Sequence, residues 1–425
     1  MPRVLVQINN LGLGGTQLNA VDLAAATSEW GYDSILVGPR DTLPESGPSL
    51  LDVAATKGVP LVTFDRAATG MRGATTVKAA LALSSLAATH RADIVHAYSV
   101  GLTRAAYWGP CLLGRRPLVI TAYEMEIDPE FQKWPTLIVG TQYLREEQST
   151  RPGPTELISP PVDLGADDPA RVSGSSFRKR HGISAEHCAL VIVSRLEEEM
   201  KAASVQAAME AIDKLADPRV VLVVVGTGSA AERLGAVAAG INSRHARQVV
   251  IMTGPMSDPR EAYAAADVVI GMGGSAARGL GFGRPLVVSG EKGRFQTFTP
   301  ATAGSLFRNS FWSNDPSRDP SSELIACLGP LITGPRLREE LGTFGRDFAE
   351  HHFSLRAMAS NLAEVYRRAP KTYGRRGWLH DAPSELTVPL TWFNRRVTSQ
   401  QISKPRPLRQ EPPPSQPTYQ RNRAA

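Results

Sequence analysis

Along the first 160 residues, short apolar runs rich in β-branched residues alternate with segments of helical period. Val4–Ile8 forms the first run. Leu18, Val21 and Ala25 follow at helical spacing, and Gly31 closes that segment. Ser34–Val37, Ile94-Val95, Leu118–Ile120 and Leu137–Val139 predict four further strands. This rhythm predicts a parallel sheet with helices on both faces. A stretch rich in Pro, Gly, Ser, Asp and Arg then begins at Ser159-Pro160-Pro161-Val162-Asp163 and runs to about Gly182, the composition of a linker. Beyond it the rhythm restarts. Ala189–Val193, Val220–Val225, Val249–Met252, Val268–Ile270 and Leu286–Val288 predict strands, and Val205, Ala208, Met209, Ile212 and Leu215 mark a helix. Asp258-Pro259-Arg260-Glu261 combines an N-cap acid, a first-position proline and a third-position glutamate, predicting a helix over about 259–266. Phe344, Phe348, Phe353, Leu355, Met358, Leu362 and Val365 predict one or two closing helices. The expected fold class is α/β: two doubly wound domains (1–164 and 165–343), closing helices (344–370), and between the domains a cleft facing the carboxyl ends of both sheets.

Charge changes this picture at one end. The chain of 425 residues carries 47 Lys+Arg against 41 Asp+Glu, a net +6 that invites an anionic partner. Residues 371–425 hold 10 of the basic and 3 of the acidic residues, together with eight prolines, leaving the rest at −1. That composition predicts a disordered tail. Within it, Val388-Pro-Leu-Thr-Trp392-Phe393-Asn-Arg395-Arg396 is an aromatic and basic patch. No apolar run approaches the ~18 residues of a membrane span. The apolar start is too short for a secretory leader, and Cys111, Cys188 and Cys327 are scattered, which points to a reducing cytoplasm and away from a zinc module.

Four segments could carry chemistry. The first loop reads Asn9-Asn10-Leu11-Gly12-Leu13-Gly14-Gly15-Thr16. Glycines before a helix admit a ligand close to the backbone at the positive end of the dipole; a tight βα turn is the plainer reading. The third glycine of a dinucleotide fingerprint is missing, and the second strand ends Val37-Gly38-Pro39-Arg40 without an acid for a ribose. The second segment, Ser194-Arg195-Leu196 followed by Glu197-Glu-Glu-Met-Lys201, sets two cations at a strand end. Such cations suit a diphosphate, unless they pair with the intervening glutamates. The third, Gly226-Thr227-Gly228, could pass under a base or ribose or be a common turn. In the fourth, Gly271-Met272-Gly273-Gly274-Ser275-Ala-Ala-Arg278, Ser275 is the expected N-cap, and backbone N–H groups would point at an anion. Arg278 sits one turn in, facing the ligand or forming an ion pair.

Together these segments resemble the retaining glycosyltransferases of family four, which have the GT-B fold of two Rossmann-like domains, over roughly residues 1–368. Gly14-Gly15-Thr16-Gln17 resembles that family's opening and Asp93-Ile94-Val95-His96 its second motif strand. Val139-Gly140-Thr141-Gln142-Tyr143-Leu144 and Ile158-Ser-Pro-Pro161-Val162-Asp163 resemble the strand and linker entry that follow. Arg195…Lys201, Val225-Gly226-Thr-Gly228, Tyr263-Ala-Ala-Ala-Asp267 and Gly283-Arg284-Pro285 come in the family's order. The chain also departs from the family. The arginine and lysine are usually one position closer, and Ala202 stands where a glycine usually follows the lysine. Of two family glutamates around the third glycine turn, the second, which typically holds the nucleotide ribose, falls on Arg278; the first has no counterpart. The family histidine falls on Tyr123, followed by Glu124 and Glu126.

The resemblance implies a nucleotide-diphosphate sugar as donor substrate, an unidentified acceptor on the first domain, no cofactor, and transfer with retention. Arg195 and Lys201 would neutralise the leaving phosphates, aided by the Gly273, Gly274 and Ser275 amides and Arg278. Gly14, Gly15 and Thr16 would let the first domain close over the diphosphate, with Gly226 and Gly228 beneath the nucleoside. His96 would end its strand near the cleft or be a satisfied core histidine. Tyr123 would line the cleft. Glu124 would face the sugar or serve as a cap or ion-pair partner. No D-x-D pair is present, so no metal is expected, and no nucleic-acid partner. Loss of both family acids also fits a member that binds sugar nucleotides or a partner without turnover. A nicotinamide-dependent oxidoreductase is a third reading. The tail is expected either to touch the inner membrane face or to act as a solubilising extension.

Overall fold

The computed structural model describes residues 1–44, 49–65, 72–98 and 100–385. Its first sheet has the order β3-β2-β1-β4-β5-β6-β7, all parallel, from β1 (Arg3–Gln7), β2 (Asp33–Pro39), β3 (Leu61–Phe64), β4 (Ile94–Tyr98), β5 (Leu118–Ala122), β6 (Thr136–Val139) and β7 (Thr155–Leu157). The second has the order β10-β9-β8-β11-β12-β13, from β8 (Cys188–Val193), β9 (Val220–Val225), β10 (Val250–Gly254), β11 (Val268–Gly271), β12 (Leu286–Ser289) and β13 (Phe295–Thr297), with only β13 antiparallel. The predicted strands are all present. β3, β7 and β13, which the pattern does not predict, are three- or four-residue edge strands. Half-buried edges lack the continuous apolar run that marks a strand covered on both faces, such as β9, where all six residues are buried.

In each sheet the strand order reverses beside the first strand, between β1 and β4 and between β8 and β11. A crevice opens at such a reversal, because the flanking connections leave in opposite directions.

The chain crosses between the two sheets twice. Val162 N donates to Phe353 O at 2.7 Å and Leu355 N donates to Val162 O at 2.9 Å, tying the linker to the returning chain. The predicted closing segment is two helices divided between the domains. Pro335–His352 packs on the second domain through Leu341 and Ala349; Leu355–Thr372 returns to the first through Met358, Leu362, Val365 and Tyr366.

Residues 371–385, expected to be part of a disordered tail, are folded. Residues 375–385 are helical and lie on the first domain. Tyr373 is buried, and Trp378 stacks on Tyr107 at 5.6 Å. Asp381 accepts the backbone N–H groups of Lys133 and Trp134. Glu385, 4 % exposed, accepts from Arg104, Trp108 and Gln132 at 3.0, 3.2 and 2.7 Å. Averaged over the whole tail, the many prolines and basic residues hide this short stretch of aromatics and acids. Residues 386–425, including Trp392, Phe393, Arg395 and Arg396, lie outside the described residues.

Candidate functional site

The crevice at the β8/β11 reversal holds the clearest site. Its floor is set by backbone packing. After β8 the chain turns at Ser194, and Leu196 is pinned by its N–H to Thr227 O (2.9 Å) and its carbonyl to Ala230 N (2.8 Å). Gly226 has φ +144°, and a Cβ there would lie 1.8 Å from Ser194 O; at Gly228 it would lie 2.5 Å from Leu196 O. Both glycines are therefore required by the close approach of the β9 turn to the β8 end. Gly226 also borders the crevice; Gly228 is not among its lining residues, which favours the plain-turn reading there.

Arg195 and Lys201 both line a cavity of about 420 Å³ in this crevice. Two of the three intervening glutamates are engaged elsewhere. Glu197 accepts from Ser229 Oγ at 3.0 Å and Glu198 pairs with Arg233 at 2.9 Å, so these acids are turned toward the β9 side. Among the described residues neither Arg195 nor Lys201 forms a salt bridge. Burial lowers the Lys201 pKa to about 8, with Glu291 opposing that shift and Arg195 adding to it. Trp312 Nε1 donates to Glu291 at 2.8 Å and fixes its carboxylate.

The third glycine turn closes the crevice above β11. Gly273 takes φ +55° and is the N-cap of the helix Gly274–Gly281. Ser275 is inside the helix and is not the expected cap. Its Oγ donates to Val193 O at 2.7 Å and accepts from Tyr263 OH at 3.2 Å, tying β8 to β11 across the reversal. The Gly273 N–H goes to Phe311 O, so that amide is taken up by the fold. The next amides, at Gly274 and Ser275, belong to the first turn, whose N–H groups have no intrahelical acceptor.

Arg278 points into a pair that sequence spacing does not reveal. Its Nε and Nη2 donate to the two carboxylate oxygens of Asp167 at 2.8 and 2.7 Å. Asp167 lies in the linker and is 2 % exposed. Burial opposes the guanidinium charge, but Asp167 more than offsets it and raises the Arg278 pKa. The guanidinium carbon also sits 5.5 Å from the Tyr263 ring centroid. The cavity is further lined by Thr227, Pro255, Met256, Pro259 and Tyr263, and by no carboxylate.

The candidates in the first domain stand apart from this cavity, whose lining includes none of them. Gly14 is the N-cap of the helix Gly15–Ala26, and Gly15 is exposed with open space where a Cβ would be; Thr16 follows in the first turn. His96 is a satisfied core histidine, the second of its two expected places, and not a residue of the cleft. It is 1 % exposed, its Nδ1 and Nε2 lie 2.7 Å from Tyr366 OH and Thr121 Oγ1, and burial lowers its pKa to about 3. Tyr123 packs edge-on against Tyr98 at 6.3 Å, and its hydroxyl is buried without a protein partner. Glu124 follows β5 with its outer face open to solvent, while partial enclosure raises its carboxyl pKa.

Residues 187–310, which contain the cavity's strand ends and glycine turns, match the model of a family described as glycosyl transferases group 1. No curated protein sequence matches the chain. A glycosyltransferase from Rickettsia africae ESF-5 superposes with a TM-score of 0.68 at 14 % identity, over 88 % of this chain and 99 % of that one. Anabaena HepE, solved in complex with UDP, does so at 0.64 and 17 %, over 86 % and 100 %. WaaG, a glycosyltransferase involved in lipopolysaccharide biosynthesis, follows at 0.55 and 13 %, over 85 % and 99 %. The fold is therefore GT-B, with the cavity in its second domain.

Proposed function

We propose that the protein is a glycosyltransferase that takes a sugar from a nucleotide-diphosphate sugar and delivers it, with retention of configuration, to an acceptor on the first domain. One observation carries the reading: Arg195 and Lys201 line a cavity beside a helix N-terminus, with no carboxylate among its lining residues and Glu197 and Glu198 engaged elsewhere. Cations that form no salt bridge among the described residues, together with first-turn amides, are complementary to a diphosphate, which stays anionic at neutral pH. Breaking the anomeric C–O bond leaves its electron pair on the diphosphate, and the same groups stabilise that charge as it grows. The family match over residues 187–310 and the neighbour solved with UDP support the donor class. In this reading no divalent cation is needed, because the two side chains supply the positive charge; turnover unchanged by a chelator would agree. Glu124 is the candidate polar group on the acceptor side. We place the protein in the cytoplasm, its tail touching an anionic membrane face. No helix among the described residues is long and apolar enough to cross a membrane.

The Arg278–Asp167 pair favours a second reading, a sugar-nucleotide binder without turnover, since a family acid is absent from the cavity. The test is calorimetry with nucleoside diphosphates followed by donor-hydrolysis and transfer assays. Arg195→Ala should weaken diphosphate binding by at least about tenfold, in line with loss of one charge-assisted contact. No binding by the intact chain overturns both readings. Binding without hydrolysis or transfer of any donor selects the second.

A further inference from the structure

Lys201 is anchored at its backbone and unengaged at its amine. Its N–H donates to Glu197 O at 3.0 Å, and its carbonyl accepts from Val205 N at 3.1 Å and Ser204 Oγ at 3.0 Å. The residue is half-buried and lines the 420 Å³ cavity together with Arg195. It also borders a narrow cavity walled by Ile192, Val205 and Ile270. Among the described residues, Nζ has neither a salt bridge nor a hydrogen bond. Lys57 and Lys214, by contrast, reach Asp22 and Asp319. The charged neighbours of Lys201 are Glu291, whose carboxylate also holds the Trp312 indole, and Arg195, a like charge.

Desolvation and a neighbouring cation are the two conditions that make a lysine amine nucleophilic near neutral pH. Burial lowers the Lys201 pKa to about 8 and Arg195 adds to the shift, so roughly a tenth of the amine is neutral at pH 7, against well under a hundredth for a solvated lysine. A guanidinium in the same cavity selects among electrophiles, because it favours those that carry their own anion. An acyl phosphate has both parts. Its phosphate is a partner for Arg195, and its acyl carbon lies only two bonds from phosphorus, in the cavity that Lys201 lines.

We propose that Lys201 is a modification site for small acyl phosphates, which are seated by Arg195 and react at Nζ. The neutral amine attacks the acyl carbon, the C–O bond to the phosphate breaks, and its electron pair leaves on inorganic phosphate; the surplus proton on nitrogen goes to water. The product is an uncharged amide. Acylation thus removes one of the two cations at this strand end and weakens the crevice for any anionic ligand. The full chain is incubated with acetyl phosphate at about pH 8, and acetylation of each lysine is followed by peptide mass spectrometry. Lys201 should react at least about tenfold faster than the exposed Lys133 and Lys179. Acetic anhydride, an acyl donor without a phosphate, measures amine reactivity alone. Arg195→Ala should lower the ratio of the acetyl phosphate rate to the anhydride rate at Lys201 by at least about fivefold. A smaller preference for Lys201 overturns the inference. So does a smaller change in the ratio, which would make Lys201 a reactive amine without a phosphate seat. The inference shares its cations with the diphosphate reading but does not require it. Selective acetylation in a chain that binds no nucleoside diphosphate removes that reading and keeps the inference; diphosphate binding without selective acetylation does the reverse.

Discussion

At the scale of single residues, the sequence singled out two cations that the fold brings to one cavity, but not their surroundings. Arg195 and Lys201 were legible because a strand end followed by basic side chains is a local pattern. Which acids would neutralise them was not, since Ser229 and Arg233, which take Glu197 and Glu198, lie more than thirty positions away. Asp167 was illegible for the same reason: its partner Arg278 is 111 residues distant. His96 could be read either way from its place at a strand end, and the fold decides by satisfying both nitrogens. The environment of Lys201 also gives a pH signature. With a pKa of about 8, its ammonium is largely charged at pH 7 and largely neutral at pH 9. A lowered lysine pKa means that the cation is lost as pH rises, so affinity for a nucleotide-diphosphate sugar, whose diesterified phosphates keep a constant charge over this range, should fall between pH 7 and 9. Lys201→Arg keeps its charge throughout and should flatten the profile. Titration calorimetry at three pH values checks this, and a flat wild-type profile would contradict it.

At the scale of elements, strong periodicity was enough for the buried strands, while short edges and the chain's last helix were missed. Residues 375–385 are the instructive case, because their order comes from partners at 104–134 and not from their own composition. Glu385 and Arg104 are both nearly excluded from water, so neither charge is stable without the other. A chain ending at Thr372 removes Glu385, Asp381 and the Trp378 stack together. It leaves the Arg104 guanidinium with fewer partners in an apolar setting, a cost of about 3–5 kcal/mol. Compared with a chain ending at Glu385, its melting temperature should be lower by about 10 °C. Thermal denaturation of the two truncations measures the difference, and agreement within about 2 °C would remove the helix from the account of stability.

At the scale of the whole molecule, the fold moves the charge boundary. With residues 371–385 assigned to the folded body, residues 1–385 hold 40 basic and 40 acidic residues, and the entire +6 falls on residues 386–425. The proposed diphosphate and membrane contacts thereby fall to different parts of the chain. In the proposed reading a diphosphate is recognised by a few placed groups inside a neutral body, and a long-range field contributes little to that contact at physiological salt. A segment with seven basic residues and an adjacent Trp392-Phe393 pair instead suits an anionic lipid surface, where each basic side chain contributes about 1 kcal/mol. A chain ending at Glu385 should therefore keep its nucleoside-diphosphate affinity within about twofold while losing its adsorption to vesicles containing anionic lipid. The full chain's adsorption should weaken steeply as salt rises, because screening acts on exposed charges first. Vesicle co-sedimentation and calorimetry on the same two proteins read both effects. Equal sedimentation of the two chains would return the tail to the role of a solubilising extension, and a large loss of nucleotide affinity would tie it to the cavity.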